Sequence, residues 1–307
     1  MLVQDDYLNR AIGAGVGYAT YNVAQKMTKK YVRQPYAKVV MKPLKHGFNS
    51  SEKGTIKNAV LQAFDGIGLK NRGVVLNNVT TENVQKINTE FNKKIMQIIE
   101  NMLHKLGYSE KMITLQKATV DRIMKKDKNI FKALQIAADG ENAFYHPFSK
   151  TININLNKMP AAAFHEMGHA LNNTDKYTRI LAYGRHPLAM LVPPLILAVG
   201  LLKNKKQEGE APKDNLDKTG DFIKNNAGKL TFAALVPTIA EEGLASVRGS
   251  KMAKPLLSKE LLKKFNNCHL RALSTYVLGA TMVALSVRLA IAVRDAIMTN
   301  KNKEAQV

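Results

Sequence analysis

The 307-residue chain contains one cysteine, Cys268, and no tryptophan. A lone cysteine cannot close an internal disulfide, which excludes the small disulfide-stapled scaffolds and argues against dithiol redox chemistry. Long Ser, Pro or Gly tracts are also missing, and with 45% hydrophobic residues the composition excludes a disordered chain or a collagen. Acidic residues are scarce: Lys and Arg number 46 against 24 Asp and Glu, a formal charge of +22. Such an excess suits nucleic acid or an anionic membrane. No zinc-finger or RNA-binding signature accompanies the lysines, so nucleic acid is not the expected partner and a lipid membrane is. A signal peptide is not expected either, because Asp5, Asp6 and Arg10 precede a Gly-rich run without a long apolar core or cleavage site. Gly13, Gly15 and Gly17 miss the dinucleotide fingerprint, since Tyr18 stands three residues after Gly15 and no strand precedes them. This run is expected as an interfacial or membrane-dipping helix whose glycines permit close packing.

Apolar runs are present and uneven. Pro187–Leu202 and Ala272–Val287 are each sixteen residues without a charge. A span needs about 20 mostly apolar residues. The first run reaches that length back through Ile180–Tyr183, interrupted by Arg185 and His186, and the second continues past Arg288 to Val293. A shorter stretch, Leu230–Ala240, ends in Glu241 and Glu242. Between the N-terminal run and the chemistry, residues 28–54 read as basic and loop-like. Thr81 then caps an amphipathic helix in which Val84, Ile87, Phe91, Ile95, Ile98, Met102 and Leu106 recur at three- and four-residue intervals, the pattern of a core-packing face. Met112–Leu134 repeats it less cleanly. Thr151-Ile152-Asn153-Ile154-Asn155-Leu156-Asn157 alternates as a strand does.

The chemistry concentrates in Ala161–Asp175, which holds H-E-x-x-H as His165, Glu166 and His169. Residues four apart share a helix face, so both imidazoles can reach one Zn²⁺ while Glu166 is placed as general base toward a water at the metal. Pro160 followed by three alanines starts a helix, and Gly168 allows close packing. A third protein ligand is required. Asp175 lies six residues beyond His169, where a metzincin pattern places its last ligand, but Asn172 replaces the glycine of that pattern and no Met-turn follows. Glu242 and its neighbour Glu241 lie at the end of an apolar run, where acids are costly unless a cation offsets them. A zinc-binding helix would supply that cation, which favours Glu242.

These residues resemble the integral-membrane gluzincin peptidases, the family of the CAAX prenyl endopeptidases and the HtpX-type quality-control proteases. That family has an N-A-F-like edge strand before its zinc helix, here matched by Asn142-Ala143-Phe144. Its zinc helix reads H-E-x-x-H-x-x-N with an Asp soon after, matched by His165 to Asn172 and, one position late, Asp175. Its later motif E-x-x-A-D is matched by Glu242-Gly243-Leu244-Ala245-Ser246, with Ser246 in place of the aspartate. The likeness covers roughly residues 140–250. It implies Glu242 as third ligand and Asp175 as a flank. It also implies that a serine stands where an acid orients a liganding histidine, a loss that Glu241 could offset. No later His-Pro motif occurs, which leaves Arg248, His269 and Tyr276 as possible oxyanion donors.

The expected fold is mainly α with a small β element, a membrane-associated zincin core with two to three transmembrane helices. The expected segments are a basic interfacial region 1–54, a helical region 55–138, a zinc-peptidase core 139–250 with a membrane hairpin 180–247, and a basic linker with a terminal span 272–293 within 251–307. The near-neutral loop 203–229, against the basic segments 1–178 and 248–271, puts the metal site on the cytoplasmic side by the positive-inside rule. The expected activity is Zn²⁺-dependent endoproteolysis of membrane or membrane-proximal proteins. A substrate strand would pair with the free edge of Ile152, Asn153, Ile154 and Asn155. The rivals are a noncatalytic membrane scaffold with a structural or decayed zinc site, and a soluble metzincin-like peptidase using Asp175.

Overall fold

The computed structural model describes residues 2–126, 129–203, 211–212 and 214–304. It is mainly helical with one small sheet, and the expected consecutive segments are distributed over two compact units that interleave along the chain.

One unit comprises Met41–Arg179 and Gly243–Leu270. Its first complete helix, α3 (Ser50–Gly66), follows α2 (Gln34–His46) and opens on a reciprocal cap. Asn49 Oδ1 accepts the Glu52 N–H at 2.9 Å while Glu52 Oε2 accepts the Asn49 N–H at 2.8 Å. The loop expected over 28–54 is therefore helical for most of its length. Leu44 and Phe48 join Ile56, Val60 and Phe64 in the core, an apolar stripe that the surrounding lysines, Pro35 and Pro43 obscure in the sequence.

The sheet runs β1 (Val75–Asn78), β3 (Thr151–Ile154), β2 (Phe144–His146) in spatial order. β3 pairs in parallel with β1 and antiparallel with β2, so Ile152 lies opposite both Leu76 and Tyr145. The expectation of a free edge along Ile152, Asn153, Ile154 and Asn155 is thus corrected: β3 is the central strand and fully buried. The polar residue of the alternating pattern is satisfied internally, Asn153 Oδ1 accepting from Asn77 Nδ2 at 2.8 Å. Asn155 leaves the strand, its Oδ1 accepting the N–H groups of Asn157 and Lys158 at 3.1 Å in a side-chain-closed turn. The edge strand toward the zinc-motif helix is β2.

Beside the sheet lie α4 (Val84–Lys105), α5 (Glu110–Lys126) and α6 (Asn129–Ala138), so the run 112–134 is divided between two helices. The N-cap position of α4 is Asn83 instead of Thr81; Asn83 makes no capping side-chain hydrogen bond, and its Oδ1 accepts the Thr80 N–H of the preceding turn at 2.7 Å. Val84, Ile87 and Phe91 are buried, whereas Ile95, Ile98 and Met102 line a cavity of about 920 Å³ and Leu106 is exposed.

The other unit comprises Met1–Val40, Ile180–Glu242 and Arg271–Val307. Among the described residues, three helices are long and apolar enough to cross a membrane: α8 (Arg179–Leu202), α10 (Ala227–Ala253) and the Lys259–Thr299 portion of α11 (Lys259–Glu304). The expected basic linker is largely the start of α11, because Leu261, Phe265 and Cys268 recur at helical spacing and bury in the core. α1 (Leu2–Thr28) packs closely within this unit: a Cβ on Gly17 would lie 2.3 Å from Leu201 Cδ2 and 3.1 Å from the Ala290 carbonyl oxygen. Ile196, Leu197, Leu201, Val287 and Ile291 form the apolar centre. The amphipathic α9 (Asn215–Asn225) follows, with Asp214 capping it through the Asp217 N–H at 2.7 Å.

Candidate metal centre

The zinc motif lies on α7 (Ala161–Thr174), which starts after Pro160 on three alanines of high helix propensity and ends where Asp175 turns extended. Its position against the second half of α10 is fixed by missing side chains. A Cβ on Gly168 would lie 2.1 Å from the Ala245 carbonyl oxygen, and one on Gly249 would lie 2.8 Å from the Phe164 carbonyl oxygen. Phe164 and Gly168 are four apart, as are Ala245 and Gly249, so the two backbones meet along a matched ladder. That register brings Ser246 Oγ to 3.1 Å from His165 Nδ1. Glu242 is one turn earlier on the same continuous helix.

His165 and His169 turn their Nε2 atoms to each other at 3.0 Å, with rings at 84°. One donor atom from each of His165, His169 and Glu242 lies within 4.8 Å of the others. Two imidazole nitrogens this close repel through their lone pairs unless a proton or a cation lies between them. Two imidazoles and a carboxylate, with no thiolate, form the donor set of a zinc site that keeps a position open. The residues therefore fit a metal ion. With Nε2 directed to that point, the remaining proton of His165 belongs on Nδ1, where it donates to Ser246 Oγ; this contact holds the ring and its tautomer.

Glu166 is buried beside this group and its Oε2 accepts the Tyr145 N–H of β2 at 2.7 Å. Tyr145 Oη donates to Asn173 Oδ1 at 3.1 Å, which ties the strand to α7 a second time. Neither contact is legible from sequence, because the pairing of β2 with a helix face is set by tertiary structure.

Asp175 is outside the group. Its carboxylate accepts the N–H groups of Tyr177 at 2.9 Å and Thr178 at 3.3 Å and pairs with Arg248 at 3.6 Å. The Tyr177 and Thr178 N–H groups, with Arg248 behind them, hold its carboxyl below the usual range. The reading of Asp175 as third ligand is corrected accordingly, and Arg248 is committed to closing the end of α7. His269 is buried, stacked on the His165 ring at 5.5 Å, with Nε2 3.3 Å from the Ala161 carbonyl oxygen. It packs the back of a ligand and does not sit as an oxyanion donor. Tyr276 lines a cavity among the helices of the second unit. His146 is a structural histidine: Ser149 N–H donates to its Nδ1 at 3.2 Å, and burial lowers its pKa.

Glu241 and Glu242 are both buried and share a cation that the sequence reading passed over. Arg185 Nη1 donates to Glu242 Oε1 at 2.7 Å and also to Glu241 Oε2. Arg185 had counted as an interruption of an apolar run. The available signal was one arginine in one apolar run and an acid pair in the next, both expensive alone. Comparison of the chain with protein-family models, with curated proteins and with solved structures gives no match.

Proposed function

We propose that the protein is a membrane-bound zinc-dependent endopeptidase. The observation that carries this reading is the convergence of His165, His169 and Glu242 beside a buried glutamate whose carboxylate is already oriented. His165, His169 and Glu242 would hold the ion. When bound, zinc supplies Lewis acidity, which acidifies water and polarises a peptide carbonyl. Glu166 takes the proton of the attacking water on its carboxylate and delivers it to the leaving amine. The Tyr145 N–H fixes the direction of that carboxylate, and Ser246 keeps the proton of His165 on Nδ1. An extended substrate would lie along β2, the edge strand beside the His165 and His169 helix, where the Tyr145 N–H is already given to Glu166. Arg185 lowers the cost of burying Glu241 and Glu242 together.

Substrates are membrane or membrane-proximal polypeptides, since α8, α10 and α11 have the length and composition of spans. The basic segments support a cytoplasmic metal site through the positive-inside rule. A second reading, a noncatalytic membrane protein, draws on the Arg185 pairing, which partly neutralises the acids without a metal.

Elemental analysis and a peptidase assay on detergent-purified protein separate the two. The expected result is one zinc per chain, retained by Glu166→Gln while turnover of an unfolded membrane-protein substrate falls about 10²- to 10⁴-fold. Zinc binding with equal turnover in wild type and Glu166→Gln would leave the noncatalytic reading. Absence of zinc from the wild type would remove both the metal and the peptidase assignment.

A further inference from the structure

We propose that a cavity of about 430 Å³ in the second unit binds the phosphate headgroup of one anionic phospholipid. Lys29 and Arg33 line it from the helical segment joining α1 to α2, with Leu235, Thr238 and Ile239 of α10 and Val283 of α11 among the other walls. Residues 29–33 form a π-helical turn, the wider coil that often marks a functional position inside a longer helix. The two cations at its ends both reach the cavity, and among the described residues neither forms an ion pair with a carboxylate. The Arg33 guanidinium lies against bare Gly279, with Nη2 3.7 Å from where a Cβ would be.

Thr238 adds a hydroxyl. Its Oγ1 is buried and has no hydrogen-bond partner among the described residues, which suits it to donate to a phosphate oxygen. The rest of the lining is mostly apolar, with Ala37, Ala189, Ala280 and Val283 beside the aliphatic residues of α10, and Gln34, Thr275 and Tyr276 add polar groups. Two cations with a hydroxyl beside an aliphatic wall, between helices of membrane-spanning length, match a phosphodiester followed by an acyl chain. A soluble phosphate would leave that wall wet, so a lipid is the better ligand. The inference is independent of peptidase activity.

The test is native mass spectrometry of the full chain released from phosphatidylcholine nanodiscs containing about one-fifth phosphatidylglycerol. The wild type is expected to retain one phosphatidylglycerol. K29Q/R33Q should weaken retention about 30-fold, about fivefold for each cation near a membrane surface. K30Q carries a charge loss on the same turn but outside the cavity lining and should retain the lipid as wild type does. T238V, which keeps the shape of the threonine, should lower retention with both cations in place. The proposal is overturned if K29Q/R33Q and K30Q behave alike, if phosphatidylcholine is retained equally, or if glycerol 3-phosphate binds the wild type as well as the lipid does.

Discussion

Among the described residues of the second unit, two partly to fully buried ion networks are balanced differently. In one, Lys203 meets Asp217 and Asp221, and Asp295 meets both Lys224 at 2.7 Å and Arg294 at 3.0 Å. Three cations face three carboxylates, and Lys224 Nζ also donates to the Lys203 carbonyl oxygen at 2.7 Å. In the other, one arginine, Arg185, meets both Glu241 and Glu242. A closed network needs nothing further and serves to fasten helices. A network with surplus negative charge inside apolar helices is costly unless a second cation completes it. The histidine pair beside Glu242 indicates where that cation belongs.

The sharpest way to break the contrast is Glu242→Gln, which keeps the shape and removes the surplus charge. Zinc affinity should fall more than about 100-fold, measured by competition with a chelator, while Asp295→Asn should leave it unchanged. If both variants bind zinc alike, the open network is not the metal centre. Next in size is Arg185→Met. It leaves two buried acids without their shared arginine and should cost roughly 3–5 kcal/mol, with part of the loss recovered on adding zinc in thermal unfolding. Asp295→Asn should destabilise by a similar amount, and zinc should recover none of it.

Ser246→Ala sharpens the picture at the ligand itself. Without the oxygen beside His165 Nδ1, zinc affinity should fall about tenfold, and Ser246→Asp should restore it or improve on it. The smallest effect is expected of Asp175→Asn, which should leave zinc stoichiometry intact. Because the folded carboxyl of Asp175 is held low by the Tyr177 and Thr178 N–H groups, its contribution is present above the ordinary aspartate range. That contribution is lost as pH falls through the folded value. The variant should therefore flatten the acid side of the stability profile, read by unfolding at a series of pH values.

The grouping of His165, His169 and Glu242 was legible because a spacing of four residues on a helix and an acid after an apolar run each have one economical explanation. The helices long and apolar enough to cross a membrane were legible for the same kind of reason, since length and composition are local properties. What escaped were features decided across distance. β1 is a four-residue strand containing two asparagines, and it is a strand because β3 pairs with it. The central position of β3 reversed the expected substrate edge, since alternation in sequence records which residues are apolar and is silent on which polar ones find partners indoors. Gly168 was read as allowing close packing; a Cβ there would overlap the Ala245 carbonyl oxygen, which makes the glycine obligatory. Arg185 was misread because a charge in an apolar run was weighed against water instead of against the acids on another helix.

The Arg185 pairing also bears on how the protein is made. Synthesis proceeds from the N-terminus, so the arginine leaves the ribosome 56 residues ahead of Glu241. A charged residue in a lone helix raises its insertion cost, by roughly 2.5–3.5 kcal/mol at the centre and by less for Arg185, which lies in the second turn of α8. α8 and α10 would therefore enter the bilayer most cheaply as a hairpin, each helix bringing the charge that excuses the other, and a ribosome-bound intermediate halted before Glu241 should insert less efficiently than one that has passed it.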